Sequence, residues 1–498
     1  MKILFLYYLL PIFLINTLYS DFLKETLFGK TISYHNIFYV HQDITNIKLH
    51  PLSTFKKRQN YIEVSYLYDD ILSIKENNRL TEYISQDIKS FFYTYPVKLL
   101  YNDGMFGVGY SDGKLKSILS SYGVPELYFT TSEYITVLAT KVKNKLSFGL
   151  SYIFYPTCLS GKIKIDNYPR SDNELENQYL YEPLEKYFGK EMYLIQEGNK
   201  NITVFEGKYN FNFKHSCSFQ IKHSLSNEKF VLEHFNLDRD QLQHVDIAVN
   251  TNMTTFDIYS SHNLSNRLAI IPVLNFNNVE LKSDFIPREA VPKKDVTDFG
   301  DLKIKTYGYG YGLATYFNLT DKLKIFASSV LSKDEYDIKC YFSTPVLGYE
   351  FFFPVVHRAY GDIKIYIPSI YYNLGIKTKF KLLNFDIVLN YHKFDFNLNI
   401  SGKTAMMAGL ISSSINKNWF LKNALQVFFL SSKTEVSLSK GIKVCYNFIL
   451  SLPIISDEIE QLFKKEFGIE VQPPPPPVYV KKEVSGGMTH IISLNFAF

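Results

Sequence analysis

The stretch FEGKYNFNFKH, Phe205–His215, decides the fold, because two kinds of side chain alternate along it without a break. One set is apolar or glycine: Phe205, Gly207, Tyr209, Phe211 and Phe213. The other set is polar: Glu206, Lys208, Asn210, Asn212 and Lys214. A period of two indicates a β-strand whose two faces meet different surroundings. In a soluble sandwich the apolar face packs on a second sheet, whereas in a transmembrane barrel it faces lipid and the polar face lines water.

The polar set of this strand supplies the candidate lumen-lining residues, Glu206, Lys208, Asn210, Asn212 and Lys214. They carry both signs of charge, so they predict no preference for the charge of a solute. The same alternation recurs in Asn144–Tyr155, in Thr306–Leu319 and in the carboxyl-terminal stretch Gly487–Phe498. In Thr306–Leu319 glycines and an alanine form one face, which leaves room for a bend, a plug or another backbone.

The amino terminus predicts export. Residues 1–20 carry Lys2, an apolar run over Ile3–Ile15 and a short tail ending at Ser20, which is typical of a cleaved signal peptide. Beyond residue 20 there is no run of 18 apolar residues, so the mature chain is not expected to cross a membrane as helices. It is then either released or inserted as a barrel.

The composition favours strands at a membrane. Aromatic residues make up 16% of the chain, with 41 Phe and 39 Tyr against one Trp, and these residues favour both strands and membrane interfaces. The net charge of +5 is small for 498 residues and there is no long basic run, so nucleic acid is not expected as a partner. The four cysteines lie far apart without a Cys-x-x-Cys pair, which predicts neither a disulfide framework nor a zinc site.

The spacing of turns and loops predicts a barrel over residues 61–498. Short connections are predicted at Lys143–Lys145, Leu319–Lys322, Lys381–Asn384 and Ser401–Lys403. Longer polar stretches cover 166–201, 282–301 and 454–487. Tight turns at one end and long loops at the other are typical of an all-β transmembrane antiparallel β-barrel of the bacterial outer membrane, surrounded by its lipid; we expect about 14 strands, with 16 possible. The pattern gives 21 strand starts, so some must be halves of longer strands.

Two segments stand apart from this pattern. Residues 21–60 are poorly patterned and predict either a luminal plug or a loose periplasmic segment. Within 454–487, the stretch Ser456–Gly468 has the apolar spacing and terminal charges of a short amphipathic helix. The five prolines Pro473–Pro477 that follow predict a stiff spacer, with binding to an aromatic-lined partner groove as the alternative.

The sequence predicts no catalytic, metal or cofactor site, and no enzyme. The eleven histidines are scattered without a metal-binding spacing. His215 and His223 share strand parity, as do His234 and His244, so either pair could meet a serine in the manner of an outer-membrane hydrolase. Serine is too common in the chain for this pattern to indicate a hydrolase.

Two motifs resemble the FadL family of outer-membrane transporters for hydrophobic compounds. In that family an amino-terminal segment with an Asp is followed by Asn-Pro-Ala-Gly-Leu and the first strand. Here Asp43 is followed by His50, Pro51, Leu52 and Ser53, and then by a strand over Tyr61–Tyr68, so Pro51 remains from the core of the motif. A second stretch is similar to the family's Leu-Ser-x-Gly-Leu strand and its following proline, through Leu146, Ser147, Gly149, Leu150 and Pro156.

The resemblance implies a barrel of about 14 strands with residues 21–60 as a luminal plug, in which Asp43, His50 and Pro51 are the candidate plug-motif residues. It also implies that the substrates are apolar molecules. We therefore expect a passive, plugged channel for hydrophobic or small solutes, with no cofactor. Two alternatives stay open. One is a surface interaction or adhesion protein whose long loops, 166–201, 282–301 and 454–487, bind a host or neighbouring molecule while the barrel anchors them, and the other is a secreted all-β protein.

The chain ends on Phe498, which predicts a role for the terminal aromatic residue in assembly. Phe496 and Phe498 fall on the apolar face of the last strand, where they suit the interface, and the resemblance to other barrels implies that the assembly machinery reads them. We expect deletion of Phe498 to reduce membrane insertion, measured as loss of the heat-modifiable, protease-resistant form. A normal amount of that form in the deletion variant would contradict the prediction.

Overall fold

The computed structural model describes residues 48–56, 60–76, 79–99, 102–119, 124–142, 145–156, 159–164, 191–236, 241–288, 300–345, 356–406, 411–455, 482–485 and 488–497. The predicted signal peptide, Asp43, most of the predicted plug, the predicted helix and proline spacer, and Phe498 lie outside these ranges. In the described part, one 3-10 helix, Pro51–Lys56, precedes 18 strands. No helix there is long and apolar enough to span a bilayer.

The strands in chain order have the following bounds: β1 Tyr61–Glu76, β2 Arg79–Leu99, β3 Asn102–Leu119, β4 Val124–Val142, β5 Leu146–Pro156, β6 Leu159–Lys164, β7 Glu191–Asn210, β8 His215–Asn236, β9 Gln241–Asn263, β10 Leu268–Arg288, β11 Gly300–Asn318, β12 Leu323–Pro345, β13 Val356–Lys379, β14 Leu383–Met406, β15 Ile411–Ser437, β16 Ile442–Ile455, β17 Lys482–Ser485 and β18 Met488–Ala497.

Antiparallel pairing between neighbours closes these strands into one barrel. β5 and β6 pair with successive parts of β7, and β17 and β18 pair with successive parts of β1, so the wall has 16 strand positions. Sixteen is the larger of the two predicted counts. β18 pairs with β1 over ten residue pairs and with β16 on its other side. The prediction of an all-β barrel in which the last strand pairs with the first is confirmed, and closure leaves both edges of β18 hydrogen bonded.

The strands are longer than the sequence pattern predicted, and this resolves the surplus of predicted starts. Leu323 and Tyr336 both belong to β12, and Phe385 and Phe394 both belong to β14. The predicted turn at Ser401–Lys403 is wrong, because these residues continue the ladder between β14 and both of its neighbours. Parts of the predicted loops are also strand, including residues 191–201 of β7.

Short turns gather at one end of the barrel, named here the turn end. The described turns there are Phe211–Lys214, Leu264–Arg267, Leu319–Lys322, Phe380–Leu382 and Leu438–Gly441. The predicted turn at Leu319–Lys322 is therefore confirmed. Tyr61 and Ala497, which begin and end the barrel, pair with each other at the same end. Both ends of the barrel domain thus lie on the side that corresponds to the periplasm in single-chain barrels.

The two faces of the wall differ in polarity as the period of two predicted. Inward positions include buried Glu63, Asn373 and Asn390, whereas outward positions carry exposed Val64, Tyr372 and Leu389. A soluble sandwich would bury its apolar face instead. The outward apolar face and inward polar face are those of an outer-membrane β-barrel, with lipid outside.

The outward face of β11 shows the extent of the apolar band that faces lipid. Phe317, Leu313 and the row Tyr311, Tyr309, Tyr307 are all exposed, starting from the turn end. Ten residues of a tilted strand rise about 25 Å, which is the height of the apolar band in such barrels. Beyond Tyr307 the outward residues are Lys305, Lys303 and Asp301. The wall therefore continues past the apolar band at the end opposite the turns.

Gly312, on the glycine face of β11, lies against the neighbouring strand β12. A Cβ on Gly312 would lie 2.6 Å from the carbonyl oxygen of Ser329 and 2.6 Å from Cγ2 of Val330. At this position the space that the sequence indicated is used for close approach to β12.

Candidate functional site

The candidate site is the inner wall where the segment Lys48–Lys56, named here the docking segment, packs against β3, β4, β5 and β7. Pro51 begins its 3-10 helix, a position that suits proline because the first helical N–H has no partner within the helix. The hydroxyl of Thr54 donates to the carbonyl of Pro51 at 2.7 Å, and the N–H of Ser53 donates to the carbonyl of His50 at 2.8 Å. These local bonds hold a compact turn that can enter the barrel.

Glu206, from the stretch that decided the fold, is the first anchor of the docking segment. Its Oε2 accepts the backbone N–H of Leu52 at 3.0 Å, and its Oε1 accepts the hydroxyl of Tyr259 on β9 at 2.8 Å. The residue is 4% exposed, so each of these bonds lies away from water. Hydrogen bonds to a charged group contribute about 1.5–3 kcal/mol each, so this carboxylate fixes the position of the segment.

His50 is held beside Glu206 by a different partner. Nε2 of Gln220 on β8 donates to the carbonyl of Leu49 at 2.6 Å and lies 3.0 Å from Nδ1 of His50. The same Nδ1 lies 3.8 Å from Oε1 of Glu206, so the imidazole lies between the amide of Gln220 and the carboxylate of Glu206.

Glu133 on β4 is the second anchor. Nζ of Lys48 lies 2.7 and 2.9 Å from its two carboxylate oxygens, and the hydroxyl of Tyr155 on β5 donates to Oε1 at 3.1 Å. The side chains of Lys48 and Glu133 are 19% and 10% exposed. A pair this buried is costly to break, because one uncompensated charge would be left in the wall.

Gly149 on β5 lets the docking segment approach the wall. A Cβ at this position would lie 2.9 Å from both Cβ and Cγ of Pro51 and 3.0 Å from the backbone nitrogen of Leu52. Glycine is the residue type that permits such close approach of a second backbone. The sequence had linked Gly149 and Pro51 only through separate motifs, and the structure brings them into contact.

Apolar and polar side chains both line the inner wall, next to the docking segment and on the far side. The buried apolar cluster next to the docking segment comprises Tyr61, Phe92, Ile135, Val137, Ile153, Ile202 and Val204. Across β9, β10, β12, β13 and β14 the buried inward polar residues include Asp257, Asn275, Asn277, Asp334, Asn373, Asn390 and His392. Amides and carboxylates pair with one another there, as in the contact of Asn275 with Asp257. Buried apolar residues such as Val330, Tyr336 and Phe394 lie on the same strands, so the lining of the lumen is mixed.

The structure separates the predicted lumen-lining residues into two groups. Glu206 faces inward, and Lys208 and Asn210 close the same strand near the turn end. Asn212 and Lys214 lie beyond the end of β7, in the exposed turn Phe211–Lys214. The prediction that this strand continues through Lys214 is wrong, because Oδ1 of Asn212 accepts the N–H groups of Lys214 and His215 and so turns the chain.

Sequence reasoning missed Lys48, Glu133, Gln220 and Tyr259 as parts of this site. One signal could have identified Glu133. It is a carboxylate at an inward position of β4, and the next inward positions of that strand are the apolar residues Ile135, Val137 and Ala139. Of the predicted assembly residues, Phe496 lies on the outward face of β18, opposite Ile62 of β1.

The histidines do not gather into a site on the described residues. His223 contacts the hydroxyl of Thr254 at 3.0 Å, and His215 contacts His262, whose Nε2 lies 2.9 Å from Oγ of Ser260. No group of three or more His, Cys, Asp or Glu side chains within the described ranges is arranged to hold a metal ion.

Comparison with known proteins gave matches among solved structures alone. No protein-family model matches the sequence, and the search of curated proteins found no match. The CymD monoaromatic hydrocarbon channel is 11% identical with a TM-score of 0.39, covering 92% of this chain and 93% of that chain. The ferric-catecholate import receptor Fiu of E. coli K12 is 8% identical with a TM-score of 0.35, covering 88% and 81% of the two chains.

A third similar structure is the toluene transporter TodX of Pseudomonas putida, 10% identical with a TM-score of 0.35, covering 88% of this chain and 90% of that chain. Hydrocarbon channels and an import receptor are thus similar to this chain to the same low degree. The strand pairings and the two faces of the wall establish the fold.

Proposed function

We propose that the protein is a passive channel for hydrophobic or small solutes across the bacterial outer membrane, with the amino-terminal segment as a plug. The observation that carries this proposal is the docking segment on the inner wall, where Lys48 and Leu52 bind the inward carboxylates of Glu133 and Glu206. A barrel of 16 strands is wide enough to leave an aqueous channel. A segment held inside the barrel narrows this channel without closing it.

The composition of the lumen supports hydrophobic or amphiphilic solutes. The apolar cluster that includes Phe92 and Ile153 lies beside the docking segment, and polar groups such as Asn373 and Asn390 line the far wall among further apolar residues. A solute with an apolar body and a polar tip would find partners for both along this lining. The inward docking segment also agrees with the plug that the resemblance to the FadL family implies.

A surface interaction or adhesion protein is the alternative function. Its support is the length of the wall, since β13 and β14 each run for 24 residues whereas about 9–11 residues cross a bilayer. A wall that extends past the membrane would present the connections at that end to the outside.

Liposome swelling with solutes of graded size and polarity tests the proposal. The purified full-length mature protein in liposomes should admit small solutes faster than empty liposomes do, and the rate should fall as solute size increases. The variant Lys48→Met with Glu206→Ala should raise the rate and the size limit. The first substitution removes the contact of the docking segment with Glu133, and the second removes its contact with Glu206. The outward variant Leu150→Met is the matched control, because Leu150 lies on the exposed face of β5.

One outcome would contradict the channel and another would contradict the plug. Permeability equal to that of empty liposomes, in both the native protein and the anchor variant, would favour the interaction protein. Permeability that the anchor variant leaves unchanged would show that the docking segment does not limit passage.

A further inference from the structure

The outer face of β7 to β11 carries an ordered set of amide and ammonium groups beyond the apolar band. Asn199, Asn227 and Asn250 are direct cross-strand neighbours on β7, β8 and β9. The same row continues through Lys282 of β10 and Lys303 of β11. Three asparagines followed by two lysines thus line up at about 4.8 Å per strand.

A second row lies on the side of the turn end. It contains Asn201, Leu225, Asn252, Glu280 and Lys305, again as direct cross-strand neighbours. Oδ1 of Asn201 accepts the hydroxyl of Tyr152 at 2.6 Å, which fixes the orientation of this amide. The two rows together place five asparagine side chains on one patch of the outer wall.

The two rows carry three ammonium groups and one carboxylate. The carboxylate of Glu280 lies 3.7 Å from Nζ of Lys282, 3.4 Å from that of Lys303 and 4.0 Å from that of Lys305. Asp337 of β12 lies opposite Lys305, and Asp301 is the next outward residue after Lys303, so the carboxylates lie at the margin and Lys282 and Lys303 keep N–H donors that can bind an anion. The side chains of Glu280 and the three lysines are 35–56% exposed, so an anion can reach them from outside the barrel.

The asparagine rows enclose a groove of about 420 Å³, whose lining includes all five asparagines and Lys282. The groove therefore ends at the lysine cluster. Amide side chains offer both donors and acceptors to hydroxyl groups, whereas ammonium groups bind phosphate.

The place of the groove on the wall indicates what fills it. The next outward residues towards the turn end are Thr203, His223, Thr254 and Asn278, and the row after those contains Phe205, Ile221, Phe256 and Phe276. The groove thus lies directly beyond the apolar band, at the level of lipid headgroups. We infer that it binds the phosphorylated sugar headgroup of an outer-leaflet glycolipid, with the asparagines on the sugar hydroxyls and Lys282 and Lys303 on a phosphate.

This site is on the lipid-facing side of the wall and is independent of the proposed channel in the lumen. A glycolipid bound here would hold β7 to β11 at a fixed depth in the outer leaflet. A phospholipid would satisfy the lysines but would leave the five amides without sugar hydroxyls. Charge and hydrogen-bonding capacity together therefore favour a phosphorylated sugar.

Native mass spectrometry of the full-length mature protein in detergent tests the inference, with diphosphorylated lipid A as the probe. The native protein should retain lipid A more strongly than phosphatidylglycerol. The variants Lys282→Gln with Lys303→Gln, and Asn227→Ala with Asn250→Ala, should each weaken lipid A binding by about tenfold or more, the loss expected for about 1.4 kcal/mol of lost hydrogen bonding. The asparagine variant should leave phosphatidylglycerol binding unchanged.

The control variant is Lys89→Gln with Lys114→Gln, because these exposed lysines lie on β2 and β3, outside the patch. Heat-modifiable migration identifies folded variants before binding is compared. Equal losses in the control and lysine variants, or lipid A binding that the asparagine variant does not change, would overturn the inference. If water-soluble glucosamine 6-phosphate binds as tightly as lipid A, the assignment to a lipid is overturned. If the native protein is a dimer and both the lysine and the asparagine variants are monomers, the patch binds a second copy of the chain instead.

Discussion

Replacing Gly149 with leucine should displace the docking segment and increase conductance by roughly tenfold or more, since an unplugged 16-strand barrel leaves an aqueous channel. The physical reason is steric: even a Cβ at this position would lie 2.9 Å from Pro51, and backbone atoms of Leu52 cannot move aside independently. The leucine side chain would then occupy the place of the segment beside Pro51. Single-channel conductance in planar bilayers measures the effect.

Two comparisons make this result specific. Gly149→Ala should give a smaller increase than Gly149→Leu, because the displaced volume is smaller. Leu150→Met, on the exposed face of the same strand, should conduct like the native protein. A folded Gly149→Leu barrel with native conductance would contradict the role of the docking segment as a plug.

Replacing Ser493 with proline should prevent closure of the barrel and abolish its folded form. Ser493 lies in the middle of β18 and pairs with Ser65 of β1 and Cys445 of β16. Proline cannot donate to the ladder and clashes within a strand that is paired on both edges. Each unsatisfied backbone group in lipid costs several kcal/mol, so the variant should lack the heat-modifiable, protease-resistant form after refolding into detergent or vesicles.

Asp321→Pro is the control for a proline substitution in the same barrel. Asp321 follows Thr320 in a turn closed by the N–H of Leu323 and the carbonyl of Thr320 at 3.3 Å, and the position after the first turn residue favours proline. This variant should fold normally. A heat-modifiable Ser493→Pro barrel would show that β18 does not close the wall.

The fold could be predicted from the sequence because each strand meets lipid on one face and polar groups on the other. This difference gives the alternation in Phe205–Asn210 and again in β18, where Ser493 and Asn495 are buried and Ile492 is exposed. The strand count was harder to predict. Beyond the apolar band the outward face becomes polar, as at Lys303 and Lys305, while Leu302 and Ile304 face inward, so the polarity of the two faces reverses along one strand and hides its continuation.

The candidate site was only partly predictable, for a related reason. Glu206 could be predicted because it is a polar residue on a strand with regular alternation. Pro51 could be predicted from the resemblance to the FadL family. The partners of Glu206 come from distant parts of the chain: Tyr259 is 53 residues away and Leu52 is 154 residues away. Pairing over such separations depends on barrel register and closure, which alternation within one strand does not encode.

The height of the wall has a consequence for flux. β13 runs for 24 residues and pairs with β12 without a register shift, so a strand of this length, tilted as in other barrels, rises about 60 Å, more than twice the height of the apolar band. Diffusive resistance grows in proportion to the length of a conduit of constant bore. A solute in the proposed channel would therefore meet about twice the resistance of a conduit that spans the bilayer alone, and it would spend much of its transit time before it reaches the level of the lipid.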